Sequence, residues 1–314
     1  MIRTALMLGL IVASPSVAQT LIVGNKGEDT ASFIDLKTGR ERARVATGRM
    51  PHEVAISPNG KEAAIVAYGG TTIDIFDVAT AKRLRTIELS PNKRPHGLLW
   101  LKNGRLVATT EGSQSLAIVA PDGSLSSITT GQAGSHMVAV SPDGARAYVA
   151  NMGAGNVSVL DLATGAKVRD IATGGKPEGL TLTSDAGQLW VGDNDTGRVQ
   201  IFSATDYRKL GEVTVGATPI RVIASPDGRS IVTSNFGDGT LSDIDPRRRK
   251  VRRTITVSGS KDAAQVTIIF SRDGRRLFVA ETGPDQVAEI DFATGRVIRR
   301  LPVGSDGDGL AIAP

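Results

Sequence analysis

Short segments of alternating apolar and polar residues run along the chain, separated by turns rich in glycine, aspartate and asparagine. Residues 138–140 and 147–150, for example, have strand length and flank the turn Ser141-Pro142-Asp143-Gly144. Such segments, bounded by turns of this composition, predict β-strands joined as hairpins. The 36 Gly and 14 Pro residues also argue against a helical bundle, because both residue types weaken helix interiors.

The turn recurs six times at nearly constant spacing. Its glycines, which lie 40 to 46 residues apart, are Gly60, Gly104, Gly144, Gly187, Gly228 and Gly274. One repeat carries four strand-like segments, at residues 138–140, 147–150, 157–161 and 167–171. Four short strands in about 42 residues are typical of one propeller blade.

The two ends of the chain predict a composite blade. Residues 309–312 form a seventh inner-strand pattern, whereas residues 21–23, 31–35 and 42–45 form three strand patterns without an inner strand before them. Joining these segments would close the ring and remove exposed sheet edges. We therefore predict an all-β, seven-bladed β-propeller with four-stranded blades, one of them closed by the N- and C-terminal strands.

The first 18 residues have the features of a secretory signal peptide. A basic start at Arg3 precedes an apolar stretch over residues 5–13, and small residues at Ser16 and Ala18 suit a signal peptidase. We predict cleavage after Ala18, a propeller domain over residues 19–314 and a periplasmic or secreted location. No second apolar run approaches the length of a membrane span.

Composition excludes several classes of function. The absence of cysteine excludes disulfides and thiolate metal ligands. The net charge of +5 is modest and aromatic residues are only 4%, so we expect no nucleic-acid partner. The basic run at residues 247–253 is interpreted as the solvated edge of a hairpin. We expect a monomer, with a small-molecule ligand or substrate.

All three histidines fall at one register position of the repeat. His52, His96 and His136 lie where the inner strands of three consecutive blades begin. The same position in the other repeats is occupied by Glu178, Ile220, Val266 and Asp308. Because these strand starts encircle one mouth of the central channel, we expect their side chains to converge there.

Imidazoles beside carboxylates are the ligand set of a divalent transition metal. The predicted metal site comprises His52, His96, His136, Glu178 and Asp308. This donor set suits zinc, manganese, iron or copper better than calcium. The alternative interpretation is structural, with each histidine packing on the next blade or capping a backbone group.

Two further residues are candidates for catalysis. Glu111 follows the second strand of the His96 repeat, and we expect its loop to open on the same face, where it could be a general base or an additional ligand. Arg221 lies beside Ile220 and could contact an anionic substrate or a carbonyl, while Ile220 and Val266 would form an apolar flank for the substrate. The alternatives are a solvated loop acid for Glu111 and a salt bridge for Arg221.

The segment Tyr148-Val149-Ala150-Asn151, followed by residues 155–165, resembles the YVTN β-propeller repeat. The resemblance covers essentially all of residues 19–314 and is weakest near residues 252–268. It implies an often exported, seven-bladed propeller in a family that includes adhesion modules, periplasmic binding proteins and metal-dependent lactonase- or lyase-like enzymes. Two functions stay open: a metal-dependent hydrolase or lyase acting on a small organic molecule, or a non-catalytic propeller that binds a protein or polymer.

Overall fold

A computed structural model of the chain describes residues 19–314, and the predicted signal peptide at residues 1–18 lies outside this range. The described residues form seven four-stranded antiparallel sheets. Each innermost strand contacts the innermost strands of the two neighbouring sheets, so the sheets form a closed ring. The predicted seven-bladed propeller is confirmed. Among these residues no helix is both long and apolar enough to cross a membrane.

The strands are numbered in chain order. They are β1 (Thr20–Asn25), β2 (Thr30–Asp35), β3 (Arg40–Ala46), β4 (Pro51–Ile56), β5 (Glu62–Ala67), β6 (Thr72–Asp77), β7 (Arg83–Glu88), β8 (Pro95–Trp100), β9 (Leu106–Thr110), β10 (Ser115–Val119), β11 (Leu125–Thr129), β12 (Ser135–Val140), β13 (Arg146–Asn151), β14 (Asn156–Asp161), β15 (Ala166–Ala172), β16 (Pro177–Leu182), β17 (Gln188–Asp193), β18 (Arg198–Ser203), β19 (Lys209–Thr214), β20 (Pro219–Ala224), β21 (Ile231–Asn235), β22 (Thr240–Asp245), β23 (Lys250–Thr256), β24 (Gln265–Phe270), β25 (Arg276–Glu281), β26 (Gln286–Asp291), β27 (Arg296–Pro302) and β28 (Gly307–Ala313). Two single-turn 3-10 helices span Glu111–Ser113 and Lys261–Ala263.

The two ends of the described chain share one blade. Blade 1 has the strand order β28-β1-β2-β3, and blades 2 to 7 follow as β4–β7, β8–β11, β12–β15, β16–β19, β20–β23 and β24–β27. In blade 1, Leu21 pairs with Ile312 and Val23 with Leu310. Leu21, Val23 and Leu310 are buried, so this pairing adds apolar burial as well as ladder hydrogen bonds. The predicted composite blade is confirmed.

The hydrophobic core lies in layers between neighbouring blades. Phe33 of blade 1, for example, packs edge to face on Phe76 of blade 2, with ring centroids 6.1 Å apart. Arginines on fourth strands extend these seams: Arg253 lies over the Phe292 ring at 5.1 Å and donates to the Ala293 carbonyl at 2.8 Å. The blades therefore hold one another through side-chain packing across each seam, which fixes the inner strands around the channel.

A β-bulge opens the inner strands at their starting ends. In blade 2, Pro51 pairs with Ala67 but Val54 pairs with Ile65, so His52 and Glu53 occupy the irregular stretch. Blades 3, 4, 5 and 7 have the same shift. Adjacent side chains of a regular strand point to opposite faces, whereas a bulge re-aims one of them. Two consecutive side chains of one strand can therefore both reach the channel mouth.

Candidate metal and ligand site

The structure brings all seven predicted site residues to one mouth of the channel. Three of them form a stack of imidazole rings: the centroids of His52 and His96 are 4.0 Å apart and those of His96 and His136 are 3.6 Å apart. Tyr68, from the loop after β5, contacts the rings of His52 and His96 edge on. His96, at the centre of the stack, is only 1% exposed. The shared register position therefore produces contact between three blades.

Carboxylates flank the two outer histidines. The Nε2 atom of His52 lies 3.2 Å from Asp308 Oδ2, and Nε2 of His136 lies 3.6 Å from Glu178 Oε1. Asp308 is also bonded to Lys26 Nζ at 2.9 Å and to the Thr267 hydroxyl at 3.0 Å. Because Asp308 belongs to β28, closure of the composite blade completes this end of the site.

Arg221 crosses the channel and joins two buried carboxylates. Its Nη2 donates to Glu53 Oε1 and its Nη1 to Glu178 Oε1, each at 2.8 Å. Of the two interpretations left open by the sequence, the structure places this guanidinium in the salt bridge. Asn194 adds a hydrogen bond to Glu178 at 2.5 Å. One cation thus bridges two buried carboxylates that both lie beside the histidine stack.

Glu53 also lies at this mouth, although it is not among the site residues predicted from the sequence. The signal that could have identified it is the register position after the histidines, which is occupied by Glu53, Gly97, Met137, Gly179, Arg221, Thr267 and Gly309. One acid and one base stand at that position among neutral residues, which indicates an ion pair across the channel. The bulge makes this position face inward together with the histidine position.

Glu111 lies above the stack rather than free in its loop. It belongs to blade 3, as His96 does, but its Oε2 atom lies 3.7 Å from His136 Nδ1 in blade 4. The same oxygen accepts a hydrogen bond from the Tyr68 hydroxyl at 2.7 Å. Arg94 covers the Tyr68 ring at 4.6 Å. The Glu111 side chain is 24% exposed and, with Arg94 and Tyr68, forms the solvent-facing rim of the site.

Charge and burial set the protonation of these groups. The His136 imidazole, whose Nδ1 atom lies 3.7 Å from the carboxylate, lowers the pKa of Glu111 to about 2, so Glu111 is ionised at neutral pH. Burial opposes protonation of His136, but the nearby carboxylates of Glu111 and Glu178 outweigh it and raise the pKa of His136. Burial, followed by the charges of the neighbouring histidines, lowers the pKa of His96 well below its ordinary value. His96 is therefore neutral, and it lies beside His136, which accepts a proton more readily.

A buried donor set fits a divalent cation. The Nδ1 atoms of His52, His96 and His136 are buried and lack hydrogen-bond partners. One ligand atom from each of His52, Glu53 and His96 lies within 4.8 Å of the others. A buried nitrogen without a partner costs about 1–3 kcal/mol, and coordination of a metal would remove that cost. Two imidazoles and one carboxylate are donors that zinc and related transition metals accept.

The predicted apolar flank is partly inside the core. Val266 is buried in the cluster that also contains Leu21 and Phe278, so it offers little surface to a ligand. Ile220 and Phe236 pack on the same cluster but remain partly exposed. Ile220 is therefore the predicted flank residue that keeps exposed apolar surface, and Phe236, which was not predicted, adds to it.

The fold and this mouth define a seven-bladed β-propeller with a buried histidine and carboxylate site. The chain belongs to the family described as "Lactonase, 7-bladed beta-propeller", whose family model matches residues 17–204. No curated protein matches the sequence.

Several solved structures share the fold. The periplasmic gluconolactonase of Pseudomonas aeruginosa is 21% identical, with a TM-score of 0.75 over 95% of this chain and 99% of that one. A functionally unknown protein from Desulfotomaculum acetoxidans is 14% identical, with a TM-score of 0.81 over 94% and 98%. Streptogramin B lyase is 14% identical, with a TM-score of 0.73 over 93% and 91%. At these identities the likeness establishes the architecture and leaves the chemistry to the site.

Proposed function

We propose that the protein is a lactonase-type hydrolase that opens a small cyclic ester at the histidine-lined mouth, with a divalent cation held by His52, Glu53 and His96. The observation that carries this proposal is the set of buried, unpartnered imidazole nitrogens beside Glu53. Membership of the lactonase family supports the reaction class. When bound, the cation would polarise the ester carbonyl or lower the pKa of a water molecule.

His136 is the proposed acid and base. It lies between Glu111 and Glu178 at 3.7 and 3.6 Å, and its raised pKa favours acceptance of a proton. In the proposed reaction a water oxygen bonds to the lactone carbonyl carbon, and His136 accepts a proton from that water. The ring C–O bond then breaks, and His136 returns the proton to the leaving oxygen. Water is the only co-reactant, and the product is the open hydroxy acid.

Glu111 and Arg221 have different proposed roles. Glu111, ionised and bonded to Tyr68, would hold the His136 ring and stabilise its charged form. Arg221 is a positioning residue, because both of its Nη atoms already bind Glu53 and Glu178. The substrate would approach over Arg94, which is the more exposed charged group of the rim. A polar or anionic lactone suits that cation.

The periplasm is the proposed location. The predicted signal peptide at residues 1–18 supports export, as does the fold shared with a periplasmic gluconolactonase. An exported protein without cysteine must be stabilised by packing and closure instead of disulfides, and the closed ring of blades provides this.

A non-catalytic metal- or ligand-binding propeller is the second candidate. It is favoured by the burial of the stack, since His96 is 1% exposed and the Arg221 guanidinium beside it is already engaged by Glu53 and Glu178. A binding protein would hold the cation or ligand without an open approach for water. Measuring metal content and turnover on the same sample distinguishes these two functions.

The test combines elemental analysis with a lactone hydrolysis assay on glucono-1,5-lactone and γ-butyrolactone. We expect about one transition-metal ion per chain, loss of the ion in Glu53→Gln and His96→Ala, and retained metal with lost hydrolysis in His136→Gln. Glu41→Gln, which changes an exposed ion pair on an outer strand, is the matched control. Hydrolysis by fully metal-free protein would contradict the proposed role of the metal in the reaction. Bound metal without hydrolysis of either lactone would favour the binding function.

A further inference from the structure

The turn between the third and fourth strands follows a common pattern in most blades. In blades 2, 4 and 7 the third strand ends in aspartate, and the apolar residue after it donates its backbone N–H to the first turn of the same blade. These bonds run from Val78 to Lys61 at 2.8 Å, from Leu162 to Ala145 at 2.9 Å and from Phe292 to Arg275 at 3.0 Å. In these three blades the bond connects the turn after the third strand to the turn after the first strand.

Arginines seal the seam beside this turn. Fourth-strand arginines donate to carbonyls of the next blade's turn: Arg169 to Asp206 at 3.5 Å, Arg253 to Ala293 at 2.8 Å and Arg299 to Leu36 at 2.5 Å. Each arginine lies directly after the bulge of its strand. Arg85 is the residue at this position in blade 2.

The seam between blades 2 and 3 departs from the pattern. In blade 3 the corresponding pair is Ala120 and Pro121, and proline, which blade 6 also has at this position as Pro246, has no N–H to donate. Arg85 turns back to its own blade and forms a bidentate pair with Glu62 at 2.9 and 2.8 Å. The seam is left open, and a cleft of 790 Å³ lies there.

Trp100 lines this cleft as a fixed aromatic surface. It ends β8, and its Nε1 donates to the Gly104 carbonyl at 3.2 Å, so the indole N–H is already bonded and the ring orientation is set. Asn59, Asn103 and Pro121 line the same space. The charged residues of its lining are Arg85, Lys102, Glu62 and Glu88, whose charges sum to zero. A charged ligand therefore gains nothing from the net charge of this cleft.

We propose that this cleft binds a neutral saccharide. Its volume is that of a small-molecule site, and a fixed indole beside amide and carboxylate groups matches a sugar, which has one apolar face and a rim of hydroxyls. The first-to-second and third-to-fourth strand turns form the cleft, whereas the histidines lie at the opposite ends of the inner strands. The proposal is therefore independent of the proposed hydrolase.

The test uses the full chain with maltohexaose, cellohexaose and chitohexaose as neutral probes. The protein has two tryptophans, and Trp190 is fully buried, so an exposed indole signal reports Trp100. We expect at least one probe to shift the fluorescence, protect it from acrylamide and give heat in calorimetry. Trp100→Leu should weaken binding about tenfold or more.

Two further variants separate the cleft from general stability. The double change Ala120→Asp with Pro121→Leu restores the pattern of blade 4, and we expect it to narrow the cleft and abolish binding in a folded protein. Phe270 has in blade 7 the position that Trp100 has in blade 3, and Phe270→Leu should leave binding unchanged. Absence of binding for all three probes, or equal affinity in Trp100→Leu, would overturn the proposal.

Discussion

Arg221 Nη2 lies 2.8 Å from Glu53 Oε1 across the central channel, although 168 residues separate the two positions. The other arm of the guanidinium binds Glu178 at the same distance. Burial alone would raise the pKa of both carboxyl groups, but Arg221 and the neighbouring histidines outweigh it and lower both values. One cation thus keeps two buried acids ionised and connects blades 2, 5 and 6.

Replacement of Arg221 by methionine should destabilise the protein strongly. The change leaves Glu53 and Glu178 buried without their cation, and breaking a buried pair in this way costs about 3–5 kcal/mol. Urea unfolding measures the loss. Adding Glu53→Gln to the variant should recover part of it, while Arg229→Met, at a largely exposed arginine, should change little. Equal stability of Arg221→Met and the parent would refute this role.

Stability should depend on the ionisation of Glu111 in acid. Its folded pKa is about 2 against an ordinary value of 4.5, so between these values the unfolded state binds a proton that the folded state does not. The contribution is therefore complete above pH 4.5 and is lost as the pH falls toward 2. The groups that face Glu111 are Tyr68, Arg94 and His136.

Glu111→Gln removes this titration, so its urea midpoint should fall less steeply than that of the parent between pH 4.5 and 3. Above pH 5 the variant should be the less stable protein, because the attraction to His136 is lost and the hydrogen bond from Tyr68 is weakened. Parallel pH profiles for the two proteins would show that Glu111 contributes no linked stability.

Gly97 should tolerate no side chain. A Cβ atom at this position would lie 2.8 Å from the His136 carbonyl oxygen and 3.0 Å from Val138 N, both of them backbone atoms of blade 4. Gly97→Ala should therefore cost about 1–3 kcal/mol and displace His136 from His96. Gly70→Ala is the control, because its nearest contact would be an ordinary 3.7 Å. Thermal unfolding that ranks the two variants as equal would contradict the close approach.

Removal of residues 309–314 should lower the melting temperature sharply. The deletion takes away most of β28, including buried Leu310, Ala311 and Ala313, and exposes the edge of β1. The other six sheets would keep four strands, whereas blade 1 would lack its innermost strand. Differential scanning calorimetry measures the change, and a truncated protein that melts within about 2 °C of the parent would contradict the role of closure.

Much of the architecture follows from the sequence alone. The constant spacing of the Gly60 and Gly104 turns, and of those that follow, predicts the blades, because each blade is built from strands adjacent in the chain. The surplus strand patterns at the two ends predict the composite blade for the same reason. The register of His52, His96 and His136 likewise indicates a shared mouth, since equivalent positions in equivalent blades face one axis.

The tertiary structure alone decided which side chains meet at that mouth. A bulge turns Glu53 inward beside His52, which the alternation of a regular strand does not predict, and the closed ring brings Glu53 within 2.8 Å of Arg221. Glu111 contacts His136 of the next blade instead of His96 of its own, because the loop extends over the seam. Repeat patterns report the contacts within a blade. Contacts between blades depend on the packing of seven sheets around one channel. The distances between their charged groups are therefore fixed only when the ring closes.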